Sequence, residues 1–335
     1  MRQHHPSFSI PFLTLILLLT ASGLSANDRA GVVWKVLVPR STSSLPLLAL
    51  DVDHFPKVLG TSSAGAGKPG SSAPVLDVEL FSNHAQALAL LLRGQADMVL
   101  TGTSQGWENH LDGGPLVMVD TGIWGVSSLI GRERRFNGFA DLRGKTVAVP
   151  FPGSPLDVQM RVLLEEAELD PSRDIQIVYS PPTQTAARLL NGLIDAAPLP
   201  EPLASNLVLR GGLHRLIQMK DAWAVVSGGD PLSPQVSLFA TRSTVRSYRH
   251  DLEKIISIWR EASSWVTDHP MQAAELFAPV LELPADILAE AIVNTVYLVP
   301  EPEENTRRVR SYFQDVKRFS TSSGGAATLS PEFFF

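Results

Sequence analysis

The chain has no cysteine among its 335 residues. That excludes disulfides, thiolate metal sites and thiol nucleophiles, so packing alone must hold the fold. Aromatic residues are scarce at 7% and charged residues reach only 19%, against 44% hydrophobic residues. This balance suits a well-buried globular chain. Lys and Arg form no run, and the net charge is −6. Both facts argue against nucleic acid or anionic lipid as the main partner. The eight histidines do not cluster. His250-x-x-Glu253 offers two ligands and no third, so neither a metal site nor another cofactor is expected.

Long apolar runs are also missing, except near the start. Met1–Ser9 carry Arg2 and no acid, Ile10–Ala21 are apolar, and Ser22–Ala26 are mostly small. The apolar stretch is too short to span a bilayer and reads as a secretory signal cut after Ala26. No lipid-bearing Cys follows it. The mature chain is therefore expected to be free in the periplasm.

What the sequence does have is a strand–helix–strand unit written twice. The copies are Leu76–Gly102 and Ile175–Glu201. Aligned on Ser82 and Ser180, both read S-x3-Q-x7-G-x2-D, through Gln86, Gly94 and Asp97, then Gln184, Gly192 and Asp195. Ala89, Leu91 and Leu92 also match Ala187, Leu189 and Leu190. Each strand should end at its Ser. Ser82-Asn83 or Pro181-Pro182-Thr183 should start each helix, and Gly94 or Gly192 should stop it. Strands alternating with helices predict mostly parallel sheets, and a duplicated unit predicts two lobes with a cleft between them.

Further strands are expected at Val32–Val38, within Pro115–Glu133, at the start of Phe139–Leu169, at LHRLIQM and at Gln235–Arg242. Ser243 to Phe319 shows apolar residues at helical spacing throughout. Gly60–Pro74 is low-complexity and should form a surface loop. Gly125–Gly131 and Gln235–Thr241 are the candidate crossings between lobes. The expected division is 1–26 signal, 31–124 plus 237–320 lobe I, 125–236 lobe II, and a loose tail, 321–335, with Phe333–Phe335 as a docking candidate.

Leu80–Gly102, Phe139–Ser154 and the Gly192–Asp195 segment with Glu201-Pro202 resemble the nitrate/taurine/sulfonate-type solute-binding proteins of ABC importers. These are similar to pyrimidine-precursor binding proteins. Asp141–Pro150 (DLRGKTVAVP) is the most specific piece. The resemblance implies a type II periplasmic-binding-protein clamshell of class α/β, with two hinge crossings. It implies a monomer that binds a small polar or anionic solute and hands it to an ABC permease without catalysis. Some pyrimidine-forming enzymes share this fold, and the resemblance implies that they need Cys and His; zero Cys counts against that activity.

Candidate ligand contacts follow the carboxyl ends of strands, where open parallel sheets place ligands. Arg40, Ser41, Thr42 and Ser43 follow the first strand. Ser82, Asn83 and His84 follow the second, and Thr101, Gly102, Thr103 and Ser104 the third. Gly153, Ser154, Thr183 and Glu201 belong to the second lobe. Hydroxyls and free N–H groups there suit ligand oxygens, and Arg40 suits an anion. The plainer role for Ser and Thr is helix capping, for Arg40 a solvated rim charge, and for Glu201 bracing its own loop. Trp124 could stack on a ligand or pack in the core; Trp107 and Trp223 are weaker choices.

Gly102–Gly106 (GTSQG) matches G-x-S-x-G. The alternative function is therefore a secreted serine esterase using Ser104, with Asp195 and His214 or Asp230 and His250 in the required order. Asp120-Thr121-Gly122 resembles an aspartic-protease turn, but only one copy exists and that chemistry needs two.

Overall fold

A computed structural model describes residues 33–51, 74–152, 154–228, 232–319 and 329–335. The expected signal segment, the Gly60–Pro74 loop apart from Pro74, and the candidate Gly153 lie outside the described residues.

The described residues start with β1 (Val33–Pro39) and the short helix α1 (Leu45–Leu48). The first repeat copy folds as β2 (Val75–Phe81), α2 (His84–Leu92) and β3 (Met98–Gly102). Helix α3 (Thr103–Leu111) leads to β4 (Leu116–Gly125) and β5 (Ser127–Gly131). Next come β6 (Thr146–Val149) and α4 (Pro155–Glu166). The second copy folds as β7 (Gln176–Tyr179), α5 (Pro182–Leu190) and β8 (Ala196–Pro200). It is followed by α6 (Leu203–Gly211), β9 (His214–Gln218), α7 (Met219–Val226) and β10 (Val236–Thr241). The helices α8 (Arg242–Ser247), α9 (Arg249–Asp268), α10 (Pro270–Leu281) and α11 (Ala285–Val293) precede β11 (Val296–Tyr297) and α12 (Pro302–Phe319). The two-residue β11 interrupts a stretch that helical spacing alone assigns to helix.

The two copies are built alike down to single hydrogen bonds. Asn83 caps α2 by accepting from Gln86 N at 3.0 Å, and Pro182 opens α5 at its first turn. Both helices end on a left-handed glycine, Gly94 and Gly192, each with φ +70°. Gln95 N reaches Leu90 O and Leu193 N reaches Arg188 O, both at 2.9 Å. This is the same Schellman closure twice. Asp97 Oδ2 accepts from Lys35 N at 3.0 Å, and Asp195 Oδ2 accepts from Thr146 N at 2.8 Å. Each repeat Asp thus ties its crossover to the neighbouring strand.

The strands form two sheets, ordered β11-β4-β10-β3-β1-β2 and β7-β6-β8-β5-β9. Each copy brackets one strand: β1 pairs in parallel with β2 and β3, and β6 with β7 and β8. Each sheet then carries an antiparallel strand beside the repeat, β10 in the first and β5 in the second. These are the strands that arrive from the other sheet, so they enter heading the opposite way. Gly125–Gly131 and Gln235–Thr241 hold β5 and β10, the first strands after each passage from one sheet to the other. Their strands lie inside the sheets, because each has partners on both edges, and the outgoing connection shrinks to Val126. The return lies alongside it: Ser233 N donates to Trp124 O at 3.1 Å and Gln235 N to Ile123 O at 2.8 Å.

Each sheet has its own apolar core. On α9, Leu252, Ile255, Ile256, Trp259, Ala262 and Val266 are buried, the one-sided spacing of an amphipathic helix. Contacts also join the two parts. Tyr312 of α12 meets Trp223 of α7 at 5.8 Å, and Gln218 Nε2 donates to Asn294 Oδ1 at 2.8 Å. Among the described residues no helix is long and apolar enough to cross a membrane.

Candidate functional site

A cleft of about 560 Å³ lies where strands of both sheets run out, within the size range of small-molecule sites. From the first sheet, Arg40, Ser41 and Ser43 follow β1, Phe81 ends β2 with Ser82 and His84 beyond it, and Gly102 ends β3 with Ser104 and Gln105 in the first turn of α3. From the second, Phe151, Ser154 and Leu156 follow β6, and Pro200 and Glu201 end β8. Val126, Gln235 and Val236 come from the crossings. The arrangement follows from parallel pairing: β1, β2 and β3 release their carboxyl ends on one side, as do β6 and β8.

Six other expected contacts lie elsewhere, each for a local reason. Thr42 is fully buried, and its carbonyl accepts from Tyr297 Oη at 3.0 Å. Asn83 is spent as the α2 cap. Thr101 is buried behind His84, bonded to its Nδ1 at 2.8 Å. Thr103 Oγ1 and Thr121 Oγ1 each lie 2.8 Å from Ser237 Oγ, in a buried hydroxyl chain. Trp124 is fully buried and donates from Nε1 to Leu298 O at 2.8 Å, so it packs rather than stacks on a ligand. Thr183 is exposed on the first turn of α5, away from the cleft lining.

Two charged lining residues are already balanced. Arg40 Nη1 donates to Val280 O at 2.8 Å and lies 3.3 Å from Glu282 Oε1. Arg40 is thus the rim charge of the plainer reading. Glu201 Oε1 accepts from Arg215 at 2.6 Å and Oε2 from Ser205 N at 3.0 Å. Burial pushes the Glu201 carboxyl up, with Arg215 opposing that shift. Glu201 braces its own loop. Ser154 caps α4 through Asp157 N at 3.2 Å.

Besides the hydroxyl-bearing Ser41, Ser43, Ser82 and Ser104, the lining holds His84, Gln105 and Gln235. His84 packs edge-on to Phe81, with ring centroids 5.0 Å apart, and burial lowers its pKa. Thr101 Oγ1 donates to Gln105 Oε1 at 2.6 Å. Gln235 Nε2 donates to Ser233 Oγ at 2.8 Å. Neither glutamine stands out in the sequence, although Gln105 directly follows Ser104 and Gln235 begins a crossing. Phe151 is missed as well; its position after the Thr146–Val149 strand was the available signal.

The G-x-S-x-G match has a packing explanation. A Cβ on Gly106 would lie 2.1 Å from Phe239 Cζ, so α3 needs a glycine to rest on β10. Ser104 makes no hydrogen bond to a His, Asp or Glu among the described residues. His214 lies on β9 and His250 on α9, and neither lines the cleft. Among the described residues no group of three or more His, Asp or Glu could hold a metal ion. Gly106→Ala should cost about 1–3 kcal/mol by overpacking. Urea unfolding reads this as a lower midpoint with an unchanged slope; an unchanged midpoint would mean that Phe239 has room to move.

Residues 125–281 match the NMT1-like family. No curated protein sequence matches the chain. Among solved structures, the chain is similar to the periplasmic aliphatic sulphonate binding protein SsuA from Escherichia coli. The two are 19% identical, with 86% of each chain covered and a TM-score of 0.63. It is similar to an ABC transporter protein from Parabacteroides distasonis at 15% identity, covering 90% of this chain and 98% of that one, with a TM-score of 0.67. The periplasmic nitrate-binding protein NrtA from Synechocystis PCC 6803 is 14% identical over 77% of this chain and 69% of its own, with a TM-score of 0.56. At these identities what is shared is the fold, and the chain has the α/β fold of these binding proteins, two helix-flanked sheets.

Proposed function

We propose that the chain is the solute-binding component of an ABC importer, exported by its N-terminal segment and working in the periplasm as a monomer. It holds a small polar solute between the loop ends of its two sheets and delivers it to a membrane permease. One observation carries this reading: a single cleft is lined by the carboxyl ends of strands from both sheets. A solute that touches both sides stabilises their approach, and the permease would recognise that closed form. The two crossings are the natural bending line, because Trp124 and Ser233 run side by side there. No bond is made or broken. The sulphonate and nitrate named for the similar proteins are reasonable first solutes to try.

A thermal-shift screen tests the proposal. It should include sulfonates, nitrate, amino acids, carboxamides and thiamine precursors. At 100 times its dissociation constant, the right solute should stabilise the chain by about 2.7 kcal/mol. Gln105→Ala should reduce that gain, measured against the melting temperature of the variant's own free chain. If no small solute raises the melting temperature, the transport reading fails.

A further inference from the structure

His84, Thr101 and Gln105 form one hydrogen-bond chain in the cleft wall. Thr101 is fully buried, so water cannot satisfy its hydroxyl. That hydroxyl has one proton, and it goes to Gln105 Oε1. The contact with His84 Nδ1 then requires the ring to donate. Burial disfavours the charged ring, so His84 carries a single proton near neutral pH, and that proton sits on Nδ1. Nε2 is left as a bare acceptor. Gln105, with its oxygen taken, keeps two amide N–H donors. His84 and Gln105 make no further hydrogen bonds among the described residues, and both line the cleft.

The rest of the cleft adds no uncompensated charge. Arg40 is paired with Glu282 and Glu201 with Arg215. The walls include Phe81 and Phe151, one from each sheet. A carboxylate or sulfonate placed on this wall would set its lone pairs against that of His84 Nε2, an unmade bond in a partly dry site.

We propose that the cleft selects an uncharged solute bearing a hydrogen-bond donor next to an acceptor, of the carboxamide type. The donor goes to His84 Nε2 and the acceptor to the Gln105 amide. Thr101 is the positioning residue that sets this polarity. The assignment rests on the solute-binding reading and narrows it from polar or anionic solutes to neutral ones.

The test uses the 15N-labelled full chain and a matched pair of probes, benzamide and benzoate. Long-range 1H–15N spectra should show His84 protonated on Nδ1. Thr101→Val removes the acceptor, and Gln105→Met frees the Thr101 proton to turn toward His84. In both variants the ring should move to the Nε2–H form. Benzamide should shift the His84 ring signals and bind about tenfold more tightly than benzoate, the worth of one well-made hydrogen bond. In Thr101→Val that preference should shrink to about threefold or less. Three results would overturn the assignment: His84 protonated on Nε2 in the unmodified chain, benzoate bound as tightly as benzamide, or His84 signals that neither probe moves. If another solute stabilises the chain while this pair fails, only the polarity assignment falls. If nothing binds at all, the transport reading falls with it.

Discussion

Phe333→Ala is expected to destabilise the chain by about 3–5 kcal/mol, the usual cost of emptying a fully buried phenyl site. Phe333 lies almost at the end of the chain, yet it has no exposed surface. Its ring centroid is 5.3 Å from Trp107, 5.0 Å from His110 and 6.1 Å from Phe239. The backbone docks too: Phe335 N donates to Met118 O at 3.0 Å, and Phe334 bridges Met118 in parallel. The reason lies in the sheet. β11 covers β4 only at Ile123 and Gly125, which leaves the Met118 stretch of that edge bare. An open edge is an invitation to mispairing, and the terminal residues close it. A typical domain is stable by only about 5–15 kcal/mol, so the loss should be plain in urea unfolding. Truncation after residue 328 should match or exceed it. An unchanged midpoint in both variants would show that the terminal segment is an appendage and not part of the core.

Asp120→Asn should stabilise the chain, and by more as pH rises from 4 to 8. Asp120 is fully buried in β4. Oδ1 accepts from Thr121 N at 2.7 Å, while Oδ2 has no partner. Burial pushes the carboxyl up to about 8; the Thr121 bond and Arg260 oppose this, and Glu301 adds to it. The unfolded chain releases this proton near the ordinary carboxylate value, whereas the folded chain keeps it until about pH 8. Between those values the folded state binds more protons, so stability is full below the lower one and falls as pH rises. Above about pH 8 this contribution stays flat. Asparagine mimics the protonated group and removes the slope. The gain at pH 8 over pH 4 is on the order of 5 kcal/mol at most. Denaturant midpoints of both chains, taken at pH steps, give the difference directly. A difference independent of pH would mean that Asp120 is ionised in the folded state.

Much of the fold was legible because local chemistry wrote it. The caps, the glycine stops and the repeat Asp residues act within or just beside their own unit, so spacing alone exposed them. The crossings were harder to read. The sequence shows GVSSLIG and QVSLFAT as strands at the crossings, but that both are inner strands depends on the partners that flank them. At the site, position after a strand identified Arg40, Ser41, Ser82, His84, Gly102, Ser154 and Glu201 as cleft residues. It could not say which were already engaged. Arg40 meets Glu282 across 242 positions and Glu201 meets Arg215 across 14, and such pairs leave no mark in one sequence. Trp124 is aromatic and stands beside a crossing, yet its bond to Leu298 O is that of a core residue. Gln105 was hidden by the motif around it. The G-x-S-x-G pattern singles out Ser104, whereas the bonded side chain is its neighbour.

One small solute should be gripped from both sheets at once. The most direct measurement is a backbone 1H–15N shift map of the full chain, titrated with the solute that gives the largest thermal shift. Perturbations are expected on both walls together, at His84 and Gln105 from the first sheet and at Phe151 and Ser154 from the second, saturating at one equivalent. Shifts confined to one sheet, or centred away from these loops, would contradict it.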